Sequence, residues 1–90
     1  MTDLVRIIRI NNKRGLHARA SAKFVNLASQ LDANIEVEKD GHKVCGTSIM
    51  GLMMLGAAMG DEVTVHVSGM DAEGVMARLT ELIESRFGED

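Results

Sequence analysis

Residues 34–45 read Asn-Ile-Glu-Val-Glu-Lys-Asp-Gly-His-Lys-Val-Cys. Ile35 and Val37 alternate with Glu36 and Glu38, the period-two pattern of a strand with one face buried and the other in water. Asp40-Gly41 supplies a tight hairpin turn, because two-residue hairpin loops need the positive φ that these residues adopt readily. A short return strand should run from His42 to about Cys45. An antiparallel pair therefore sits near the middle of the chain.

Outward from this hairpin the periodicities are clear. Leu4 to Ile10 is rich in β-branched residues and reads as a strand, although Ile7-Ile8 spoils strict alternation. Asn11 to Gly15 is a polar loop. From about His17 to Leu31 the apolar positions Ala20, Phe24, Leu27, Ala28 and Leu31 recur at helical spacing. Thr47-Ser48 precedes Ile49-Met50-Gly51-Leu52-Met53-Met54-Leu55-Gly56, a capping pattern ahead of a helix kept short by Gly51 and Gly56. Asp61 to Ser68 sets Val63, Val65 and Val67 against Glu62, Thr64 and His66, a half-buried strand. Ala72, Val75, Met76, Leu79, Leu82 and Ile83 then trace a helix to near Phe87, begun by Asp71 as its cap. The order is β-α-β-β-α-β-α. The expected class is α+β: a two-layer open-faced sandwich whose four-stranded antiparallel sheet is covered on one face by three helices.

The bulk properties narrow the function. Ninety residues make one small domain, spanning 1–90. The only aromatics are Phe24 and Phe87, so the core must be built from Val, Ile, Leu, Met and Ala. Ten basic and 13 acidic side chains give a net charge of −3, which lacks the basic footprint of a nucleic-acid binder. Lone Cys45 excludes an internal disulfide and, with His42 and His66, forms no metal-ligand spacing. No segment reads as a signal peptide or a membrane span, so a cytoplasmic protein is expected.

The chemistry concentrates in residues 13–24, Lys-Arg-Gly-Leu-His-Ala-Arg-Ala-Ser-Ala-Lys-Phe. His17 stands where a glycine-bearing turn becomes a helix, and Arg19 follows two residues later. A helix start presents unpaired N–H groups and the positive end of the macrodipole, which suits an anion. An imidazole there, beside a guanidinium, suggests a histidine that carries or meets a phosphate. An unperturbed imidazole titrates near about 6.5, so its neutral nitrogen is a good nucleophile at physiological pH.

Gly15-Leu16-His17-Ala18-Arg19, followed by Ala22-Lys23-Phe24-Val25, resembles the active-site segment of the HPr family, the histidine phosphocarriers of bacterial phosphotransferase systems. Ser48-Ile49-Met50-Gly51-Leu52-Met53 with Leu55-Gly56 resembles the second family motif, around a regulatory serine. Both the separation of the motifs and the order of the elements agree. The resemblance implies that His17 takes a phosphoryl group on Nδ1 from phosphorylated enzyme I, or its nitrogen-type counterpart, and passes it to a IIA-type protein. Arg19 would stabilise the phosphate. Ser48 would be the target of an HPr kinase/phosphorylase, adding about −1.5 to −2 charge. Ile49, Met50 and Met53, with Phe24 or its neighbours from the first helix, would form the partner surface. Methionines suit a face that must fit several partners in turn. The implied protein is a monomeric carrier without cofactor or metal, and not an enzyme.

Ala20 departs from the family pattern, which places proline after His-Ala-Arg. Alanine can take the same helical geometry without proline's rigidity, so a looser site with intact chemistry is expected. The departure leaves both sugar transport and a nitrogen-regulating, NPr-like branch open. The alternative function is a regulatory binding module, in which the state of Ser48 controls association with a transcription factor or kinase. Retention of both His17 and Arg19 argues against the pure form of that alternative.

Overall fold

A computed structural model describes residues 2–89. The strands are β1 (Thr2–Arg9), β2 (Asn34–Lys39), β3 (His42–Cys45) and β4 (Glu62–Gly69); the helices are α1 (Ala18–Gln30), α2 (Ile49–Met54) and α3 (Ala72–Glu84). The strands form one antiparallel sheet in the order β1-β4-β2-β3. The expected α+β sandwich and element order are both present.

Register explains which residues reach the core. Leu4 lies opposite Val67, which lies opposite Ile35; Val65 lies opposite Val37, which lies opposite Val44. These side chains point to the helical layer, where Ile8, Ile35, Val37, Val63, Val65 and Val67 pack with Phe24, Leu79 and Ile83. The open face carries Glu36, Glu38, Thr64 and His66, with Val5 and Ile7 exposed on edge strand β1. The Ile7-Ile8 irregularity is thus resolved by the pleat: Ile8 turns in and Ile7 turns out. On that open face His66 Nε2 lies 2.8 Å from Glu38 Oε1.

The predicted caps are where the sequence placed them. Ser48 Oγ accepts the Gly51 N–H at 3.0 Å, and Asp71 Oδ1 accepts that of Gly74 at 3.3 Å. The last helix, however, ends at Glu84 rather than near Phe87. Arg86, Phe87 and Gly88 follow with φ of 61°, 55° and 73°, and this left-handed run folds the chain back into a 3₁₀ turn, Arg86–Gly88. The hook seats Phe87 in the core at 1% exposure.

Phe24 also needs correction. It was expected on the partner surface, but it is only 2% exposed and packs in the core. Its helix position follows the Ala20–Phe24–Ala28 stripe that faces the sheet. Phe24→Ala should therefore destabilise the fold by about 3–5 kcal/mol, measured by urea unfolding. Unchanged stability with weakened partner binding would instead restore Phe24 to the docking surface.

Candidate functional site

The site begins with a close approach of two loops. Gly15 adopts φ of 64°, and a Cβ there would strike the Ala57 carbonyl. The Leu16 N–H donates to that same carbonyl at 2.9 Å. This contact holds the His17 loop against the segment that leaves α2. Beneath it, fully buried Asn12 donates through Nδ2 to the Gly15 carbonyl at 2.9 Å.

His17 is the N-cap of α1, with extended backbone at φ −74° and ψ −179°. Its Nδ1 accepts the backbone N–H of Arg19 at 3.3 Å. An imidazole nitrogen that accepts a hydrogen bond holds a lone pair, so in the neutral ring the proton resides on Nε2. That nitrogen meets Glu89 Oε2 at 2.7 Å, where the two side chains are 15% and 16% exposed. The other Glu89 oxygen, Oε1, accepts from Asn12 Nδ2 at 3.1 Å. Both partners of Nδ2 are acceptors, which fixes the orientation of the Asn12 amide.

The basic residues complete the surroundings. Lys13, Arg14, Arg19 and Lys23 line one shallow open cleft with Gly88 and Glu89. Four of the chain's ten basic side chains, in a protein of net charge −3, therefore line the cleft whose Glu89 contacts His17. Arg19 is exposed, and its backbone rather than its guanidinium contacts the His17 ring. Lys23 Nζ donates to the Phe87 carbonyl at 2.6 Å and holds the C-terminal hook in place.

The second motif lies apart from this hydrogen-bond network. Ser48 is half-buried at the start of α2, next to exposed Ile49 and Met50. Ile49, Met50, Met53 and Met54 all face water, while Leu52 and Leu55 are buried. The expected Ile49–Met50–Met53 surface is thus available, without Phe24. No group of three or more His, Cys, Asp or Glu side chains among the described residues is arranged to hold a metal.

The family model for the phosphorylation site of the HPr component of the phosphotransferase system matches residues 5–85. The chain belongs to the HPr family. It is 50% identical over 82 residues to phosphocarrier protein HPr of Neisseria meningitidis serogroup B, covering 91% of this chain and 92% of that one. It is 39% identical over 89 residues to phosphocarrier protein NPr of Shewanella violacea, covering 99% and 98%. Among solved structures, a C-terminally tagged HPr from Thermoanaerobacter tengcongensis superposes with a TM-score of 0.89 at 47% identity, over 100% of this chain and 99% of that one. HPr proteins are phosphocarriers of the phosphotransferase system and not enzymes in their own right. Among the described residues, no helix is long and apolar enough to cross a membrane.

Sequence reading missed Glu89. Nothing in the spacing joins position 89 to position 17, and no general base or partner for the histidine is visible in the linear chain. Burial of the Glu89 carboxyl opposes its ionisation. Hydrogen bonds from Asn12 and His17, with the charges of His17 and Lys23, outweigh that and hold its pKa below the ordinary carboxylate range. A depressed folded-state pKa stabilises the folded hook above the unfolded carboxyl's pKa, and the effect is lost as pH falls through the lower folded value. The contact between residues 86–89 and His17 should therefore persist through mild acid and release only below the usual glutamate range. Amide hydrogen exchange at Gly88 and Glu89 across an acid titration checks this; release at or above that range would contradict it.

Proposed function

We propose that His17 is the phosphoryl carrier, accepting the group on Nδ1 from phosphorylated enzyme I or its nitrogen-type counterpart and delivering it to a IIA-type protein. The observation that carries this reading is the division of labour on one ring: Nδ1 keeps its lone pair at the start of α1, while Nε2 keeps its proton against Glu89. The attacking nitrogen is unprotonated and needs no separate base.

The added dianion is met by groups already in place. First-turn N–H groups of a helix lack carbonyl partners four residues back and point at an anion. Ala20, in place of the family's proline, adds an N–H to that first turn. The Arg19 guanidinium, exposed on the same side, supplies charge-assisted hydrogen bonds. Stabilisation stays moderate because the cleft is open to water, and a carrier must release what it binds.

Docking is read from two features. Lys13, Arg14, Arg19 and Lys23 favour an acidic rim on the partner, and Ile49, Met50 and Met53 supply a deformable apolar contact. Such complexes should be small, weak and fast. Ser48 is the regulatory candidate: its hydroxyl caps α2 beside the apolar patch. A phosphate there is tolerated by the helix start and places charge on the contact face. HPr kinase/phosphorylase is the enzyme class that would add it.

His17→Ala should take up no phosphate from phosphoenolpyruvate and enzyme I, read by intact mass, whereas the wild type gains one acid-labile phosphate. Arg19→Ala should keep the phosphate but lower the rate of transfer by about tenfold, the loss of one charge-assisted contact. A phosphorylated His17→Ala protein would remove the carrier role from this residue. Ser48→Asp should fold normally and bind enzyme I more weakly, measured by calorimetry; undiminished binding would reduce Ser48 to a helix cap.

A further inference from the structure

The C-terminal hook lies outside residues 5–85, the segment on which the family match rests. Its geometry is nevertheless directed at the site. Glu89 N–H donates to the Arg86 carbonyl at 2.9 Å, Lys23 ties down the Phe87 carbonyl, and buried Phe87 anchors the turn. Two successive non-glycine residues, Arg86 and Phe87, sit in the left-handed region, a conformation held by its surroundings. The outcome is a carboxylate fixed between the Nε2 of His17 and the buried amide of Asn12.

We propose that Glu89 is a positioning residue of the carrier site, whose carboxylate keeps one proton on Nε2 of His17 through both halves of the transfer. The proposal rests on the reading of His17 as the carrier. On acceptance, the Nδ1 lone pair forms the N–P bond while the bond from phosphorus to the donor breaks and the donor keeps its electron pair. The ring becomes an N-phosphorylated imidazolium, and its positive charge faces the Glu89 carboxylate. On donation, the acceptor's nucleophile bonds to phosphorus, and the N–P pair returns to Nδ1. The ring is again neutral, with the same proton on Nε2. No proton has to enter or leave it.

This matters for release. If Nε2 lost its proton in the phosphorylated state, the leaving group would be an imidazolide anion, a far poorer one than neutral imidazole. The other charged groups facing the pair push in that direction. Lys13 and Arg14 from the loop, and Arg19 and Lys23 from α1, are all cationic, and they disfavour a positive ring while favouring the phosphate. Among the described residues lining this cleft, Glu89 is the one anion, and it contacts the nitrogen that must stay protonated.

The test compares wild type with Glu89→Gln and Glu89→Ala. Nitrogen-15 NMR of the histidine ring reports which nitrogen carries the proton. Phosphohistidine is made chemically with phosphoramidate, so that no partner enzyme is needed, and its transfer to a IIA-type acceptor is followed from mild acid to alkaline pH. Wild type should show the Nε2–H form. Glu89→Gln should keep that form, because an amide oxygen still accepts the bond, and Glu89→Ala should show both tautomers. In both variants donation at alkaline pH should fall about tenfold, with no change in mild acid, as removal of a contacting opposite charge lets the ring proton leave at lower pH.

Wild-type tautomer and an unaltered pH profile in both variants would overturn the proposal. An altered fold alone would slow donation equally at every pH and leave the tautomer signal unexplained, which also counts against it. If enzyme I phosphorylates none of the proteins, the carrier reading fails, while the NMR of the ring still judges the role of Glu89.

Discussion

One imidazole ring has to close a helix and remain chemically available, and this double duty organises the protein around it. His17 caps α1 with Nδ1, at a distance long enough (3.3 Å) for the lone pair to be given up to another electrophile. Its other nitrogen is held by a short contact to Glu89. The loop before it is pinned at Gly15 and Leu16 to the Ala57 carbonyl, which fixes where the helix begins. A displaced helix start would move the nucleophile, the first-turn N–H groups and Arg19 together.

Around that ring the protein separates tasks by location. Stability resides in the interface between the sheet and the helices, where Phe24, Phe87 and the β-branched strand residues are excluded from water. Recognition falls to side chains that this core does not need: the cations of the cleft and the exposed methionines of α2. With Met50 at 68% exposure and Leu52 at none, neighbouring positions of one short helix serve the two purposes. Such a helix can bury only one side, and the other is left for contact. The open face of the sheet is occupied by polar and charged pairs such as His66 with Glu38, on the side away from the helical layer.

How much of this was legible in the chain depends on how far apart the participants lie. Ser48 and Asp71 could be read as caps because a cap and the N–H groups it satisfies are three residues apart. The Asp40-Gly41 hairpin was legible for the same reason, and both residues adopt positive φ. Phe24 was misread because its motif neighbours pointed to partners while its helical periodicity pointed to the core. Burial of a large aromatic ring outweighs any preference for exposure. The end of α3 was misplaced because the stripe of apolar residues continues to Phe87, and periodicity does not register a reversal to left-handed backbone.

Alternation, helical spacing and turn chemistry are local, and by themselves they determined the element order, the antiparallel hairpin, the buried faces and the helix start that carries His17. Strand order β1-β4-β2-β3 was decided only by tertiary structure, since it depends on which valine-lined edges pack together across the chain. The pairing of His17 with Glu89 across 72 residues belongs to the same class. The left-handed turn at Arg86–Gly88, anchored by buried Phe87, delivers a carboxylate to the histidine. No local pattern encodes that contact; it is a consequence of closing the core.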